Sequence, residues 1–389
     1  MRRTPSICPS PQFVIKASKY CNLRCDYCYE FAYLGDKRRI GVDAVEAMFE
    51  NIRGCIEPLG LEKINLVWHG GEPFLIPIEF YERVSGIEKR IFAADIRYIN
   101  TVQTNLTVLT DRHIAFLKGD FFTSIGVSFD VYGDQRVDTK GRLRTDTVLG
   151  NMQKLIDQEI DFGAIAVLAR DTLPHIREIY RFYDELGIGH RMLAYYRNAS
   201  SQQALRHGLE FEELVGAYKD LFHEWLSSEL ATPVKPISDF VQYAIRYVAQ
   251  DGGYYFDRYT DERVFIVDIN LNVYSDVEPY EAEFCYGNFL TTPLVEIITS
   301  EAANRSCEQS AERMRRFCHG CPYFGHCPGE FVANATHERR KLLEARGCPA
   351  RALLDHIVGV FERTDLKEII LKARGAASDL EELPALSVA

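Results

Sequence analysis

The amino-acid sequence predicts an α/β protein whose larger part is a partial (β/α)6 barrel of the TIM type. Short segments rich in β-branched and aromatic residues alternate, in six successive units, with segments whose apolar residues recur at helical spacing. Such alternation is typical of parallel strands joined by right-handed crossovers, and six units are too few to close a full barrel. The chain has 389 residues, 47% of them hydrophobic, which is enough for this barrel and a second, smaller domain.

The elements of the barrel can be assigned in order. Strands are predicted at 11–18, 62–68, 96–103, 123–129, 162–168 and 190–196, and helices at 42–56, 78–92, 111–118, 146–159 and 174–186. Two further helices are predicted at 210–229 and 236–249. The first of them carries an apolar stripe that we assign to core packing, formed by Phe211, Leu214, Val215, Tyr218, Leu221 and Phe222.

Four regions are therefore expected along the chain. The barrel should span 10–200, a helical connection 201–254, a small cysteine-containing domain 255–350, and a C-terminal helix with a tail 351–389. The tail beyond about residue 375 is acidic and rich in Ala and Ser, which predicts mobility.

Composition argues against several classes of partner. The formal charge of −11 disfavours broad electrostatic capture of nucleic acid or of an acidic membrane surface. No apolar run approaches the roughly 20 residues that span a bilayer, and the N-terminus lacks the apolar stretch of a signal peptide. We therefore expect a cytoplasmic protein, in which clustered cysteines are metal ligands rather than disulfides.

The chemistry is predicted first by the cysteine triplet Cys21, Cys25 and Cys28, which directly follows the first predicted strand. A [4Fe–4S] cluster held by protein normally takes four thiolates, so a triplet leaves one iron open to another ligand. Structural zinc sites more often use two C-x2-C pairs, which this run does not contain.

Other polar motifs also follow predicted strands, at the barrel end where catalytic groups of such folds collect. Gly70, Gly71 and Glu72 follow the second strand, Asn105 follows the third, and Ser128 and Asp130 end the fourth. Paired glycines let backbone approach a ligand closely, and the adjacent acid can hold an ammonium group. The alternatives are that Glu72 and Asn105 are turn residues and that Ser128 and Asp130 cap strand ends.

The C-x3-C-x2-C loop with Tyr27 before its last cysteine, followed by Gly-Gly-Glu-Pro, resembles the radical S-adenosylmethionine (radical SAM) superfamily. The resemblance implies that S-adenosylmethionine chelates the open iron and is split by an electron from the cluster, giving a 5′-deoxyadenosyl radical. It also implies site residues: cluster ligands Cys21, Cys25 and Cys28; Tyr27 against adenine; Gly70, Gly71 and Glu72 at the methionine amino end; and Asn105, Ser128 and Arg136 as further cofactor contacts. One departure is Val131, where the family has glycine.

A second group of cysteines, near the C-terminus, is Cys318, Cys321, Cys327 and Cys348. Glycines and prolines around it suit a compact loop wrapped round an inorganic core. The spacing resembles the SPASM or twitch extension of peptide-modifying radical SAM enzymes, which implies an auxiliary [4Fe–4S] cluster on these four residues. A structural zinc ion is the alternative.

The resemblance also has gaps, which predict one auxiliary cluster instead of two. Phe331 and the pair Ser275-Asp276 stand where a second cluster would have cysteines. Cys285 and Cys307 are expected to be small buried hydrophobic residues, with ligation of a degenerate second cluster as the alternative. Cys8 and Cys55 are expected to be structural.

The leading functional hypothesis is a maturase that abstracts a Cβ hydrogen from a ribosomally made precursor peptide and forms a cyclophane-type carbon–carbon crosslink to an aromatic residue. Asp276 would act as the base, unless it occupies the position of the missing cysteine or is only a solvated loop acid. The alternatives are formylglycine formation as in anaerobic sulfatase maturation, radical chemistry on a small metabolite, and a non-catalytic iron–sulfur or zinc scaffold. A reductant such as flavodoxin or ferredoxin is implied as a partner.

A leader peptide of the substrate should dock on the chain itself, because the 20 residues before Cys21 are too few for a separate leader-binding domain.

Overall fold

The computed structural model describes residues 6–92, 96–195, 206–276, 280–364 and 366–375. The chain divides into two compact units, which are described separately. Unit 1 comprises Met1–Ser128, Arg136–Phe162 and Asp257–Ala311, and unit 2 comprises Phe129–Gln135, Gly163–Phe256 and Glu312–Ala389. The division at 200, 254 and 350 expected from sequence stays a prediction.

The secondary structure is mixed α/β, as predicted. The strands are β1 (Gln12–Ser18), β2 (Lys63–Gly70), β3 (Arg97–Thr104), β4 (Phe122–Ser128), β5 (Gly163–Leu168), β6 (His190–Ala194), β7 (Val234–Lys235), β8 (Val264–Val267), β9 (Asn272–Ser275) and β10 (Cys285–Asn288). The helices are α1 (Val42–Arg53), α2 (Ile56–Leu59), α3 (Ile78–Phe92), α4 (Asp111–Leu117), α5 (Thr145–Asp157), α6 (Ile176–Glu185), α7 (Phe211–Ser227), α8 (Ile237–Val248), α9 (Arg258–Asp261), α10 (Leu294–Ile297), α11 (Glu301–Phe317), α12 (Glu330–Ala333), α13 (His337–Arg346), α14 (Pro349–Phe361) and α15 (Leu366–Gly375).

Unit 1 is built on the sheet order β10-β9-β8-β1-β2-β3-β4. Strands β1 to β4 and β8 run parallel, and β9 and β10 add an antiparallel edge beyond β8. Lys16 on β1 pairs in register with His69 on β2, which places the ends of these two strands side by side. Helices α1 and α3 cover the sheet through contacts such as that of Phe49 with Phe92, whose ring centroids lie 5.2 Å apart.

Unit 2 contains the parallel strands β5, β6 and β7. Five of the six residues of the apolar stripe predicted in its first long helix are buried in α7, namely Leu214, Val215, Tyr218, Leu221 and Phe222, whereas Phe211 is only partly buried. Helix α14 packs against α7 and α8. The buried carboxylate of Asp184 accepts hydrogen bonds from Ser228 Oγ at 2.6 Å and from the Thr232 amide at 2.9 Å, which fixes the chain after α7.

All the predicted barrel elements are confirmed, with small differences at their ends. The helix predicted at 42–56 divides at Gly54 into α1 and α2, and strand β2 extends two residues beyond its predicted end to Gly70. The last strand ends at Ala194, and residue 196 of its predicted span lies outside the described residues, as does the tail beyond 375. In the part of the chain that the structure covers, no helix combines the length and apolarity needed to cross a bilayer.

Candidate active site

The first cysteine group lies in the loop that leaves β1. Cys21 and Cys25 are buried and Cys28 is partly buried. Burial raises the pKa of Cys21 and of Cys28 to about 12, and the negative charge of neighbouring groups adds to this effect. As free thiols these groups therefore stay protonated at neutral pH, and a bound metal would be needed to hold them as thiolates.

Several N–H groups point at the sulfur atoms. The Leu23 amide lies 3.3 Å and Asn105 Nδ2 3.5 Å from Cys21 Sγ, and an Arg136 guanidinium nitrogen lies 3.9 Å from Cys25 Sγ. Hydrogen bonds to sulfur and a nearby cation stabilise ligating thiolates and tune iron–sulfur clusters. The donor set of Cys21, Cys25 and Cys28 thus fits a [4Fe–4S] cluster that would be held by three thiolates.

Arg136 and Tyr27, both predicted to contact the cofactor, lie together beside this group. Both side chains are buried, and the Arg136 guanidinium lies 5.8 Å from the centroid of the Tyr27 ring. The Arg24 amide donates to the Val137 carbonyl at 2.7 Å, which joins the cysteine loop to the segment that carries Arg136. The structure therefore brings these two predicted residues together, while their contact with a cofactor stays a prediction.

Gly70 and Gly71 are required by the close approach of two stretches of this chain. A Cβ atom at either position would collide with backbone atoms of Ser18 or Tyr20, and Gly70 has a φ of +126°. The Gly71 amide donates to the Ser18 carbonyl at 2.7 Å, and the Glu72 amide donates to the Tyr20 carbonyl at 2.9 Å. The glycines thus lock the end of β2 against the start of the cysteine loop.

Glu72 is buried and already accepts three hydrogen bonds. Its Oε1 receives Thr104 Oγ1 at 2.7 Å and the Phe74 amide at 2.8 Å, and its Oε2 receives the Asn105 amide at 2.6 Å. Burial raises the pKa of Glu72 to about 7 although these bonds oppose the shift. A carboxylate has about four acceptor sites, so one remains for the methionine amino group that the sequence predicts there.

Asn105, Ser128 and Asp130 differ in what they contact. Asn105 turns its amide toward Cys21, as noted above. Ser128 accepts a hydrogen bond from Gln103 Nε2 at 2.7 Å at the end of β4. In unit 2, Asp130 Oδ1 accepts the Val167 amide at 2.7 Å, which is the capping role given as the alternative for this residue.

A further polar cluster lies at the ends of β1 and β2, and sequence analysis did not predict it. Lys16 Nζ lies 3.0 Å from Glu30 Oε1 and 3.3 Å from His69 Nδ1, and it donates a hydrogen bond to the Tyr29 hydroxyl. The Tyr280 hydroxyl donates to Glu30 Oε1 at 2.9 Å. The one signal in the sequence is a lysine inside the apolar segment Phe-Val-Ile-Lys-Ala, because a buried lysine requires a partner.

The second cysteine group lies in unit 2. Burial raises the pKa of Cys318 and of Cys327 to about 12, and the other cysteines of the group add to the shift of each. Cys348 precedes α14, and the amides of Ala350 and Arg351 in the first turn of that helix interact with its sulfur. A helix N-terminus favours a thiolate, so this donor set fits an iron–sulfur cluster too.

No three His, Cys, Asp or Glu side chains among the described residues stand close enough to share a single metal ion. The zinc alternative for Cys318, Cys321, Cys327 and Cys348 stays open, because a metal draws its ligands together when it binds.

At Ser275-Asp276, where the family resemblance predicts a cysteine of a second auxiliary cluster, the structure has a buried ion-pair network. Arg258 lies 2.7 Å from Glu262 Oε1, 2.7 Å from Ser275 Oγ and 2.9 Å from Asp276 Oδ1, and the Tyr286 hydroxyl donates to Glu262 Oε1 at 2.9 Å. Asp276, the predicted base, keeps 28% of its side chain exposed. Ser275 is therefore a hydrogen-bonding member of a protein network.

The remaining cysteines have the surroundings of small apolar residues. Cys55 and Cys307 are buried, and Cys285 packs against the cluster formed by Val14, Ile266 and Tyr274. Cys8 is partly buried, and its amide donates to the Glu262 carbonyl at 3.1 Å. These contacts suit the structural roles predicted for them, and ligation by Cys285 and Cys307 stays the alternative prediction.

Comparison with known proteins finds a family match that covers the cysteine triplet. Residues 15–183 match the Radical SAM superfamily. A serine-type anaerobic sulfatase-maturating enzyme of Klebsiella aerogenes is 29% identical over 197 residues, which is 49% of this chain and 47% of the relative. The corresponding enzyme of Bacteroides thetaiotaomicron is 24% identical over 336 residues, 81% of this chain and 80% of the relative. The alignment thus spans about half the length of the Klebsiella relative and more of the second.

Solved structures share the fold at low sequence identity. Native anSMEcpe with bound AdoMet and Cp18Cys peptide has a TM-score of 0.72 at 18% identity, covering 95% of this chain and 100% of that one. Streptococcus suis SuiB bound to S-adenosylmethionine has a TM-score of 0.57 at 14% identity, covering 85% of this chain and 76% of that one. The chain therefore has the α/β fold of these proteins, and the residues that match the Radical SAM superfamily, 15–183, include Cys21, Cys25, Cys28 and Arg136.

Proposed function

We propose that the protein is a radical SAM enzyme that oxidatively modifies a side chain of a ribosomally made peptide. The observation that carries this proposal is the presence of two separate cysteine groups. One has three cysteines in the segment that matches the Radical SAM superfamily, and the other has four cysteines near the C-terminus. Each group has N–H donors or buried surroundings that suit iron–sulfur ligation. Bound at these sites, the clusters and S-adenosylmethionine would supply a hydrogen-abstracting radical and an acceptor for one electron.

The residues near the first group would position the cofactor. Tyr27 would lie against its adenine, while the Gly70–Gly71–Glu72 turn would receive the methionine amino end at the remaining acceptor site of Glu72. Ser128 and Arg136 would contact the cofactor as further ligands. Each assignment comes from the family resemblance and the local contacts described above.

The product that we propose is a crosslink between a Cβ atom and an aromatic ring. One Cβ–H bond and one ring C–H bond break, and one carbon–carbon bond forms. One hydrogen atom leaves with the abstracting radical, one proton goes to a base, and one electron goes to the auxiliary cluster. Asp276 is the proposed base, since Arg258 holds one carboxylate oxygen and the side chain still reaches solvent.

The network of Arg258, Glu262 and Ser275 supports a single auxiliary cluster, which the crosslinking hypothesis expects. Formylglycine formation is the second candidate, because several relatives are named anaerobic sulfatase-maturating enzymes of the serine and cysteine types. A peptide substrate is common to both candidates, and it is supported by structures of fold relatives with bound peptides.

The test begins with anaerobically reconstituted protein, S-adenosylmethionine and dithionite. Release of 5′-deoxyadenosine is expected and should be lost in the Cys25→Ala variant; no release would contradict the radical SAM assignment and leave a binding scaffold. Peptides encoded by short reading frames beside the gene are then incubated with the enzyme and their masses recorded. A metabolite enzyme would cleave the cofactor while changing none of them.

Both peptide products can lose two hydrogens, so mass alone does not separate them. An aldehyde-reactive hydrazide should label formylglycine but not a crosslink, and fragmentation in the mass spectrometer should stop between the joined residues only in the crosslinked peptide. Labelling by the hydrazide would overturn the crosslink in favour of the second candidate.

A further inference from the structure

The polar cluster at the ends of β1 and β2 has unused hydrogen-bonding capacity. Glu30 is 2% exposed, and its Oε1 atom is occupied by Lys16 and Tyr280. Its Oε2 atom is buried and accepts no hydrogen bond from any residue that the structure describes. A buried carboxylate oxygen without a donor is costly, so a bound group that brings an N–H or O–H to it would gain affinity.

His69 offers the complementary donor. Its Nδ1 atom receives the Gly70 amide at 2.6 Å and faces the Lys16 ammonium at 3.3 Å, so Nδ1 is an acceptor and the proton is on Nε2. Burial and the charge of Lys16 lower the pKa of His69 to about 3, which keeps the ring neutral. In the described part of the chain, no residue accepts a hydrogen bond from Nε2.

These two groups are held near each other, because Glu30 and His69 both contact the ammonium of Lys16. They lie at the carboxyl ends of parallel strands, at the same end as Cys21, Cys25 and Cys28, where substrates of such folds bind. The charge of Lys16 offsets that of Glu30, so the pair suits a neutral ligand better than a cation.

We propose that Glu30 Oε2 and His69 Nε2–H form an acceptor–donor pair that binds the main-chain N–H and C=O of one extended residue of the substrate. In an extended chain the N–H and the C=O of one residue point to the same side, and they match these two atoms in number and type. The inference rests on the proposed function only in taking the substrate to be a peptide, and it goes further by naming how the chain recognises its backbone.

The proposal can be tested without knowledge of the natural substrate. The probe is radiolabelled N-acetyl-tetraalanine amide, which is neutral and offers only peptide groups. Its binding to the cluster-loaded protein is measured by equilibrium dialysis with S-adenosylmethionine present and no reductant, so that no turnover occurs. The absorbance of the iron–sulfur clusters and the melting temperature of each variant establish that it is folded and loaded.

In Glu30→Gln the amide oxygen must face the donors Lys16 and Tyr280, which leaves an NH2 group toward the peptide N–H. We expect about tenfold weaker binding of the probe. His69→Leu should weaken binding of the probe by a similar factor. His69→Gln, which keeps an N–H donor, should retain most of the parent's affinity. Glu283→Gln, at an exposed carboxylate close in sequence to Tyr280, is the matched control and should bind like the parent.

Equal affinity of the parent and Glu30→Gln, or failure of the parent to bind the probe, would overturn the proposal. A loss in His69→Gln as large as in His69→Leu would overturn the role of the Nε2 donor. The proposed function fails on different measurements, namely 5′-deoxyadenosine release and the masses of the encoded peptides, so the two can be told apart.

Discussion

Glu88 on α3 is a buried carboxyl group far in sequence from both cysteine groups, and its replacement by glutamine should make stability less dependent on pH. It is 1% exposed, and Asn100 Nδ2 donates to its Oε2 at 3.0 Å. Asn100 in turn accepts from Trp68 Nε1 at 2.7 Å. Glu88 Oε1 makes no hydrogen bond to the described residues.

Burial raises the pKa of Glu88 from 4.5 to about 8. Because the folded state favours the protonated form, the stability contributed by this group is fully present below pH 4.5 and is lost as pH rises toward 8. Each unit of pKa shift corresponds to about 1.4 kcal/mol in the free energy of unfolding, and most of this change in stability occurs between pH 5 and 8. The free energy of unfolding of the parent should therefore fall by roughly 3 kcal/mol relative to Glu88→Gln over that interval.

The assay is the melting temperature of the cluster-loaded protein, measured anaerobically at pH 5, 6, 7 and 8. At about 2 cal/mol/K per residue, 3 kcal/mol corresponds to roughly 4 °C for a chain of this length. The melting temperature of Glu88→Gln minus that of the parent, here called the gap, should increase by that amount from pH 5 to pH 8. The control Glu57→Gln, at an exposed carboxylate, should keep the same difference from the parent at every pH. A gap that stays constant or narrows as pH rises would refute the reasoning.

Three other changes have definite outcomes. If both clusters form, the parent should bind about eight iron atoms, and Cys25→Ala and Cys327→Ala should each lose about four; loss of all eight from either variant would contradict two independent sites. His190 is buried, and burial lowers its pKa from 6.5 to about 4, so its stabilising effect is present above pH 6.5 and is lost as pH falls toward 4. Between pH 7 and pH 4 the free energy of unfolding of the parent should fall by up to about 3 kcal/mol relative to that of His190→Gln. Melting temperatures of the two proteins that change equally with pH would contradict this. Gly71→Ala should fold poorly and bind little iron, because the added Cβ meets the Tyr20 carbonyl. Gly86→Ala, on the open surface of α3, should instead raise the free energy of unfolding by about 0.5–1 kcal/mol. Equal stability and equal iron content of the two variants would contradict the packing argument.

The barrel elements could be predicted because each signal is local. Buried parallel strands and amphipathic helices carry their periodicity within ten or fifteen residues, and the sequence displays it over 11–194. The ends were less predictable: β2 continues to Gly70 because Ser18 and Tyr20 accept hydrogen bonds from the next two amides, a contact between distant segments.

The candidate site was predictable where a spacing encodes a ligand set. Cys21, Cys25 and Cys28 and the later four cysteines belong to that class. The contacts of Glu30 with Lys16 and Tyr280 join residues up to 250 positions apart in sequence, and no pattern in a single sequence reports such a meeting. The sequence predicts that the glycines of the Gly-Gly-Glu-Pro turn leave space for a ligand, and the structure shows that packing of the chain on itself already requires them.

The network of Arg258, Glu262, Ser275 and Tyr286 has a consequence for how the protein is assembled in a cell. Its bonds use only charges and hydroxyl groups that the chain carries when it is synthesised, so this part of unit 1 needs no metal to reach its shape. A cluster in the same place would have made folding there wait for iron delivery and made it sensitive to oxygen. We therefore expect residues 258–276 and 280–286 to resist proteolysis equally in protein made with scarce or abundant iron, with iron-dependent protection confined to the two cysteine groups.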